Sequence, residues 1–195
     1  MPDPAEDGPG EHDADGAARK GATDAIAAWA DGRIAAGEAA VPREPRPAPD
    51  ATVELREVTG ETVRAVCLLH VAPDQRHFVA PNAVSFAEAL FEPKAWYRAV
   101  VADDVPVGFL MLSIDEAAAE YYLWRFMVDQ RYQARGYGRA AILQLIEHVR
   151  TLPGATELLV SWVPEAGGPE PFYRGLGFEP TGEVDEGEVV ARYRL

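Results

Sequence analysis

The chain has 195 residues, 48% of them hydrophobic, and a formal net charge of -14 at pH 7. This length suits one domain of about 150 residues with a substantial core, together with an appendage. The acidic charge disfavours a nucleic-acid partner, which selects basic surfaces, but it would attract cationic substrates.

The cysteine content and the absence of targeting patterns indicate the cellular compartment of the protein. Cys67 is the single cysteine, so an internal disulfide is excluded and nothing indicates an oxidising environment. The N-terminus lacks the pattern of a signal peptide, and no stretch approaches the roughly 20 apolar residues of a membrane span. We therefore expect a soluble, cytoplasmic protein that binds neither nucleic acid nor a membrane.

The first fifty residues differ in composition from the rest of the chain. The opening MPDPAEDGPGEHDADG is acidic and rich in proline and glycine, which is typical of disorder. Residues 22–40 are rich in alanine and could form a short helix, although two glycines interrupt it. Four closely spaced prolines then indicate an extended linker. The sequence thus predicts a tail and linker over 1–50 and one folded domain over 51–195.

The domain is predicted to begin with a strand and two helices. Apolar and polar residues alternate over 52–58, which indicates a half-buried strand. A helical pattern follows over 59–71. Ser85 and Glu88 then have the spacing of a capping box, which predicts a second helix that starts at Ser85 and ends at Pro93.

Three strands and a long helix are predicted next. Residues 95–102, 106–114 and 120–129 are apolar runs, and the turn-prone pair Asp103-Asp104 suits a hairpin between the first two. We expect these strands to pair antiparallel as a meander. An amphipathic helix follows over about 138–152 and ends at Pro153-Gly154.

The C-terminal part completes a mixed sheet. Residues 157–163, ELLVSWV, form a continuous apolar run, which predicts a strand covered on both faces. Because it follows a helix, we expect it to lie parallel to the strand before that helix, by a right-handed crossover. A loop, a short helix around 172–176 and two terminal strands follow. The predicted fold class is α/β (α+β).

A glycine-rich turn opens the long helix. It contains Gln133-x-x-Gly136-x-Gly138, and the exposed N–H groups at a helix start bind phosphate where glycines allow close approach. A loose dinucleotide fingerprint, with Ala141 and Glu157, is one alternative. It is weak, because the preceding strands look like hairpins and only one later strand can be parallel. The other alternative is a turn that merely caps the helix.

Two separated motifs carry a family resemblance. QARGYG at 133–138 and FYRGLGF at 172–178, in this order of elements, resemble the GNAT superfamily of acyl-CoA-dependent N-acetyltransferases over 52–195. Residues 70–82 and 125–138 also resemble the branch with bacterial diamine and spermine/spermidine acetyltransferases. The resemblance implies a mostly antiparallel sheet of about six to seven strands, splayed between strands 4 and 5 and flanked by about four helices.

The resemblance also implies acetyl-CoA as co-substrate. The pyrophosphate would lie on backbone N–H groups of the glycine turn, and the pantetheine arm would run along the fourth strand, where a backbone N–H could polarise the thioester carbonyl. The implied cofactor-binding residues are Phe126, Met127, Val128, Gln133, Ala134, Arg135, Gly136, Tyr137, Gly138, Arg139 and Phe172. No metal is expected, because four scattered histidines and one cysteine show no ligand spacing.

Tyr173 is the candidate catalytic residue. In the family, the corresponding tyrosine lies near the CoA sulfur and can protonate the leaving thiolate, which needs a neutral hydroxyl donor. The alternative is a half-buried core tyrosine beside Phe172. Many relatives carry an asparagine seven residues earlier, where this chain has Ala166. One contact to the cofactor arm is therefore missing, or is replaced by backbone of Gly167 and Gly168.

The general base is not identified by the sequence. A primary ammonium, with a pKa of about 10.4, must lose a proton before attack. Some polyamine acetyltransferases place a glutamate mid-way along the fourth strand, where this chain has Trp124. Glu120 could act through water, but it suits a solvated strand end better. Asp74, Glu88 and His77 are better explained as caps, surface charges or loop contacts.

Two classes of function stay open. The first is an enzyme that acetylates a small cationic amine, with a polyamine as leading acceptor and an aminoglycoside-like or amino-acid amine behind it. Acetylation of a protein N-terminus or lysine is the runner-up within this class. The second is an acyl-CoA-binding module without turnover. Trp124, Tyr122, Phe78 and Trp96 could supply an aromatic face for a cation, although core packing is the alternative for all four. A homodimer also stays open, and the sequence fixes neither the acceptor nor the role of the tail.

Overall fold

The computed structural model describes Pro47, Ala48 and residues 50–195. The helix predicted within 22–40 lies outside the described residues. Pro47–Leu195 form one compact unit.

A single seven-stranded sheet organises this unit. Its spatial order is β1-β2-β3-β4-β5-β7-β6, and every neighbouring pair is antiparallel except β4 and β5. The strands are β1 (Val53–Arg56), β2 (Ala95–Ala102), β3 (Val105–Asp115), β4 (Glu120–Val128), β5 (Glu157–Trp162), β6 (Glu179–Asp185) and β7 (Glu188–Arg194). The predicted mixed sheet and the parallel fifth strand are confirmed.

Within residues 50–195, four α-helices accompany the sheet, as predicted. They are α1 (Val63–Cys67), α2 (Asn82–Ala89), α3 (Tyr137–Arg150) and α4 (Glu170–Leu176), with a 3-10 helix at Pro73–Gln75. Within the described part of the chain, none of the helices is long and apolar enough to cross a bilayer.

The sheet buries a separate apolar cluster on each face. Side chains of α3 such as Ile142 and Leu145 pack on one face against Leu110 and Leu123. On the opposite face, Val66 of α1 and the partly buried Phe86 of α2 pack with Phe109, Met111 and Met127. Because side chains alternate along a strand, β2, β3 and β4 each contribute to both clusters.

The hairpin between β2 and β3 forms at the predicted aspartate pair. Asp103 and Asp104 both have positive φ, 45° and 66°, which a two-residue hairpin turn requires and which aspartate tolerates. The Asp103 carboxylate also accepts the backbone N–H groups of Ala48 and Thr52, at 3.2 and 3.1 Å. These bonds fasten the segment before β1 to the hairpin.

The first predicted helix is shorter than expected. We expected it over 59–71, but α1 ends at Cys67. Its last turn tightens, because the Leu69 N–H donates to Val66 O three residues back, at 3.2 Å. The next free N–H, that of His70, donates instead to the buried carboxylate of Asp129, at 3.0 Å. A tertiary acceptor therefore ends the helix.

Two further predictions need correction. The capping box at Ser85 was wrong, because α2 already begins at Asn82, after Pro81, and Ser85 is buried within the helix. Strand β5 was expected to be covered on both faces, but its burial alternates. Leu158, Val160 and Trp162 are buried, whereas the opposite face is partly exposed and its Ser161 lines an open cleft.

Candidate active site

The cleft lies where β4 and β5 separate. These strands pair at only two positions, Tyr122 with Leu159 and Leu123 with Val160. Beyond them β4 continues to Val128, so its edge there has no neighbouring strand. The cleft has a volume of about 1030 Å³, and it brings the glycine turn, the second half of β4 and Tyr173 together.

A β-bulge at Trp124 sets the side-chain directions in β4. Arg125 pairs with Met111 and Leu123 pairs with the next residue, Leu112, so Trp124 is the extra residue on β4. As a result, two consecutive side chains point to the α1/α2 face: Trp124 packs with that cluster, and Arg125 reaches Glu88 of α2 at 3.2 Å. The arginine also lies over the Trp124 ring, with its guanidinium carbon 4.8 Å from the ring centroid.

The glycine turn opens α3 toward the cleft. Gly136 immediately precedes the helix with φ 83°, a left-handed conformation that favours glycine, and a Cβ there would meet nothing within 4 Å. A Cβ on Gly138 would lie 3.4 Å from the Phe172 ring and from the Val128 side chain. The backbone N–H groups of a first helical turn that is open in this way fit an anionic phosphate.

Other predicted cofactor residues surround this turn. Gln133 Nε2 donates to Val128 O at 2.9 Å and to Gln75 Oε1 at 2.8 Å, so it fastens the turn to the end of β4. The Tyr137 ring is buried, and its hydroxyl donates to Ala48 O at 3.3 Å. The remaining predicted residues that line the cleft are Phe126, Met127, Val128, Ala134, Gly136, Gly138, Arg139 and Phe172. Arg135 lies within the turn and is exposed.

A buried carboxylate holds the segment between β4 and the glycine turn. Asp129 is fully buried and accepts the backbone N–H groups of His70 and Arg131, both at 3.0 Å. The Arg131 side chain adds a bond from Nε at 2.8 Å. Burial by itself would raise the pKa of Asp129, but these hydrogen bonds outweigh it and hold the pKa below its usual value.

Replacing Asp129 by asparagine should therefore destabilise the protein by about 2 kcal/mol at neutral pH, because the variant loses charge-assisted hydrogen bonds. The lowered pKa makes this contribution complete above the unfolded value of about 3.9, and it is lost as the pH falls through the folded value. Urea unfolding at pH 7 and pH 3.5 measures both effects. The exposed Asp104→Asn is the control, and equal stabilities of the two variants at pH 7 would contradict the role of Asp129.

Tyr173 lies at the cleft in an aromatic stack. It is 6% exposed, and its ring stacks on Trp162 with centroids 5.7 Å apart and contacts Phe178 edge-on. The neighbouring Phe172 stacks on Phe126 of β4, at 5.9 Å. Burial raises the pKa of Tyr173, and Tyr122 nearby adds to the increase. The hydroxyl is therefore a protonated donor at physiological pH.

The wall nearest the hairpin of β6 and β7 carries residues that the sequence reasoning missed. Asp185, Glu186 and Glu188 line the cleft together with Ser161 of β5. Glu186 and Gly187 form a tight turn with positive φ, 47° and 91°, which fixes this hairpin. No local pattern marks these acids, because only the pairing of β7 beside β5 brings them to the cleft.

The bases considered from the sequence are placed less favourably. Of the described residues, those that line the cleft include His77 but not Asp74, Glu88 or Glu120. His77 pairs with Glu165 at 3.3 Å, and both side chains are more than half exposed. Glu88 pairs with Arg125, and Glu120 is exposed at the start of β4.

Comparison with known proteins identifies the family. The model of the "Acetyltransferase (GNAT) family" matches residues 69–178, more than half of the chain. The chain belongs to the GNAT family of acetyltransferases. The predicted family is confirmed, and this GNAT protein is an acyltransferase enzyme.

Individual relatives agree with this assignment. The chain is 27% identical over 150 residues to a spermine/spermidine N(1)-acetyltransferase of Bacillus subtilis, covering 71% of this chain and 96% of that protein. This relative belongs to the branch that the sequence motifs indicated.

Solved structures share the fold. An acetyltransferase of Thermus thermophilus superposes with a TM-score of 0.59 at 18% identity, covering 74% of this chain and 97% of that one. The PaiA N-acetyltransferase of Thermoplasma acidophilum, solved in complex with coenzyme A, superposes with a TM-score of 0.56 at 13% identity, covering 74% and 99%.

Proposed function

We propose that this GNAT enzyme transfers the acetyl group of acetyl-CoA to a primary amine of a small polycation, by direct attack in a ternary complex. Acetyl-CoA supplies the activated thioester. The backbone N–H groups of the turn from Arg135 to Arg139 would hold its pyrophosphate, and the free edge of β4 at Phe126–Val128 would pair with the pantetheine arm. Tyr173, a buried protonated hydroxyl, would donate to the leaving sulfur.

The acidic wall of the cleft is the observation that supports a polycationic acceptor. Asp185, Glu186 and Glu188 line the same cavity as Tyr173, and carboxylates there favour an acceptor with more than one positive charge. Three arginines also line the cleft. Arg125 is paired with Glu88, Arg139 lies on the first turn of α3 beside the proposed phosphate site, and Arg76 directly follows the 3-10 helix at Pro73–Gln75. The similarity to the spermine/spermidine acetyltransferase supports the same acceptor class.

Thiol release from acetyl-CoA with a panel of amines tests this proposal. We expect kcat/KM for spermidine to exceed that for butylamine by about tenfold or more, because a second ammonium gains about 1.4 kcal/mol from the carboxylates. Added salt should reduce this difference in kcat/KM between the two amines, because it screens the attraction to the carboxylates.

The same panel separates the alternatives. Equal values of kcat/KM for spermidine and butylamine would exclude polycations as the preferred class of acceptor. Faster acetylation of a peptide N-terminus or lysine would favour a protein acetyltransferase. Calorimetric binding of CoA without turnover of any amine would indicate an acyl-CoA-binding module.

A further inference from the structure

Three polar side chains from three neighbouring strands form a chain along the cleft wall. Tyr122 of β4 and Ser161 of β5 lie on adjacent strands at the cleft, and Ser161 donates a hydrogen bond to Glu188 of β7. All three line the cleft. They belong to adjacent strands in the order β4-β5-β7, so the sheet itself holds the chain together.

The strand register explains this alignment. Tyr122 pairs with Leu159, and Ser161 lies two residues further along β5, on the same face. Ser161 pairs with Val190, and Glu188 lies two residues before Val190, again on the same face. The period of two therefore places all three side chains on the cleft side of the sheet.

The direction of the hydrogen bonds is fixed by the number of protons. A serine hydroxyl has a single O–H, which Ser161 gives to the Glu188 carboxylate. Toward Tyr122, Ser161 can therefore act only as an acceptor. With Tyr122 as the donor to Ser161, every O–H of the chain would point toward Glu188, and the Tyr122 oxygen would keep lone pairs that can accept a proton from a ligand in the cleft.

The chain also lies close to the reaction centre. Tyr122 and Tyr173 line the same cleft. At the other end, Glu188 is half-buried on the hairpin and has a route to solvent. An amine bound beside Tyr122 would thus lie between the group that protonates the sulfur and a carboxylate that can discharge a proton to water.

We propose that Tyr122, Ser161 and Glu188 form a proton relay that deprotonates the acceptor ammonium; this inference rests on the proposed function. The ammonium gives a proton to the Tyr122 oxygen as Tyr122 passes its own to Ser161 and Ser161 passes its own to Glu188. The relay supplies the missing base, which the sequence could not identify because Trp124 stands at the expected position.

The reaction balances in atoms and charge. The freed amine attacks the thioester carbonyl carbon, the C–N bond forms, and the C–S bond breaks. The acceptor gives up two protons in all as its ammonium becomes an amide. One travels along the relay to Glu188 and then to water, and the other replaces the proton that Tyr173 gives to the leaving sulfur.

Two variants and two amines test the relay. Glu188→Gln and the smaller change Ser161→Ala should each lower kcat/KM for spermidine by about tenfold or more, because each interrupts the proton path. Calorimetric affinity for CoA and the melting temperature should not change. The amine 2,2,2-trifluoroethylamine is already uncharged at neutral pH, so it does not have to lose a proton before it attacks. With this amine, the decrease in kcat/KM caused by each variant should be about threefold or less.

Glu183→Gln is the matched control, because it removes a carboxylate from the same hairpin at an exposed residue. It should leave kcat/KM within about twofold of the wild type. Wild-type turnover together with unchanged rates in both relay variants would overturn the relay and leave the proposed function standing. Equal losses with both amines would also overturn it, and so would a loss that is confined to Glu188→Gln and lies in KM alone, since Glu188 would then only attract or position the acceptor. A wild type that acetylates no amine would overturn the proposed function and the relay with it.

Discussion

Exchanging Tyr173 for phenylalanine should lower kcat by about 100-fold or more while the affinity for CoA stays unchanged. The exchange removes the hydroxyl that would protonate the leaving thiolate. Burial raises the pKa of this phenol, so the wild-type side chain is a donor throughout the physiological range. The phenylalanine ring keeps the stacking on Trp162 and the contact with Phe178, so the fold should be preserved.

The control for this experiment is Tyr193→Phe. Tyr193 contacts Phe178 from β7, at a centroid distance of 5.5 Å, and it is not among the residues that line the cleft. The same chemical change there should leave kcat within about twofold of the wild type. Steady-state thiol release, calorimetric titration with CoA and urea unfolding together separate chemistry from binding and folding. A kcat of Tyr173→Phe within about threefold of the wild type would assign the residue to core packing alone.

Alanine at Gly108 should produce the largest loss of stability, about 2 kcal/mol or more, because the new methyl group has no space. Gly108 of β3 lies opposite Val128 of β4, and a Cβ there would come within 2.5 Å of Met127 O. That contact is with backbone, so β4 itself must shift. Because Met127 and Val128 form the free edge of β4 in the cleft, the affinity for CoA should fall as well.

Urea unfolding and calorimetric titration with CoA measure the two effects of Gly108→Ala. The matched control is Gly175→Ala in α4, where an added Cβ would meet nothing within 4 Å. That exchange should be neutral or should stabilise the helix by about 0.5–1 kcal/mol, because alanine has the higher helix propensity. Equal stabilities of the two variants would show that β3 and β4 tolerate a side chain at Gly108.

Local features of the chain were predictable because neighbouring residues decide them. The Asp103-Asp104 turn is fixed by two residues that tolerate positive φ between two apolar runs. Gly136 and the amphipathic run after it define the start of α3, which the structure places at Tyr137. Positions of this kind depend on backbone freedom and hydrophobic period, and both can be read along the sequence.

Predictions failed where a distant group competed with a local pattern. The helical pattern continues past Cys67, but the buried carboxylate of Asp129 takes the N–H of His70, 59 residues away in the sequence. Ser85 has the spacing of a cap, yet it is buried inside α2, which begins directly after Pro81. Tertiary hydrogen bonding and burial outweighed local propensity at both positions.

The sequence by itself determined the family, the order of the elements and the residues proposed to bind acetyl-CoA, because contiguous motifs carry them. Only the tertiary structure brought together the residues proposed for the acceptor side. A one-residue bulge at Trp124 redirects the neighbouring side chains of β4, and no local sequence pattern predicts this bulge. Glu188 reaches Ser161, 27 residues earlier in the chain, because β7 pairs beside β5 in one particular register. With a side-chain period of two, a shift of one residue would turn the carboxylate away from the cleft, so pairing between distant strands determines this part of the site.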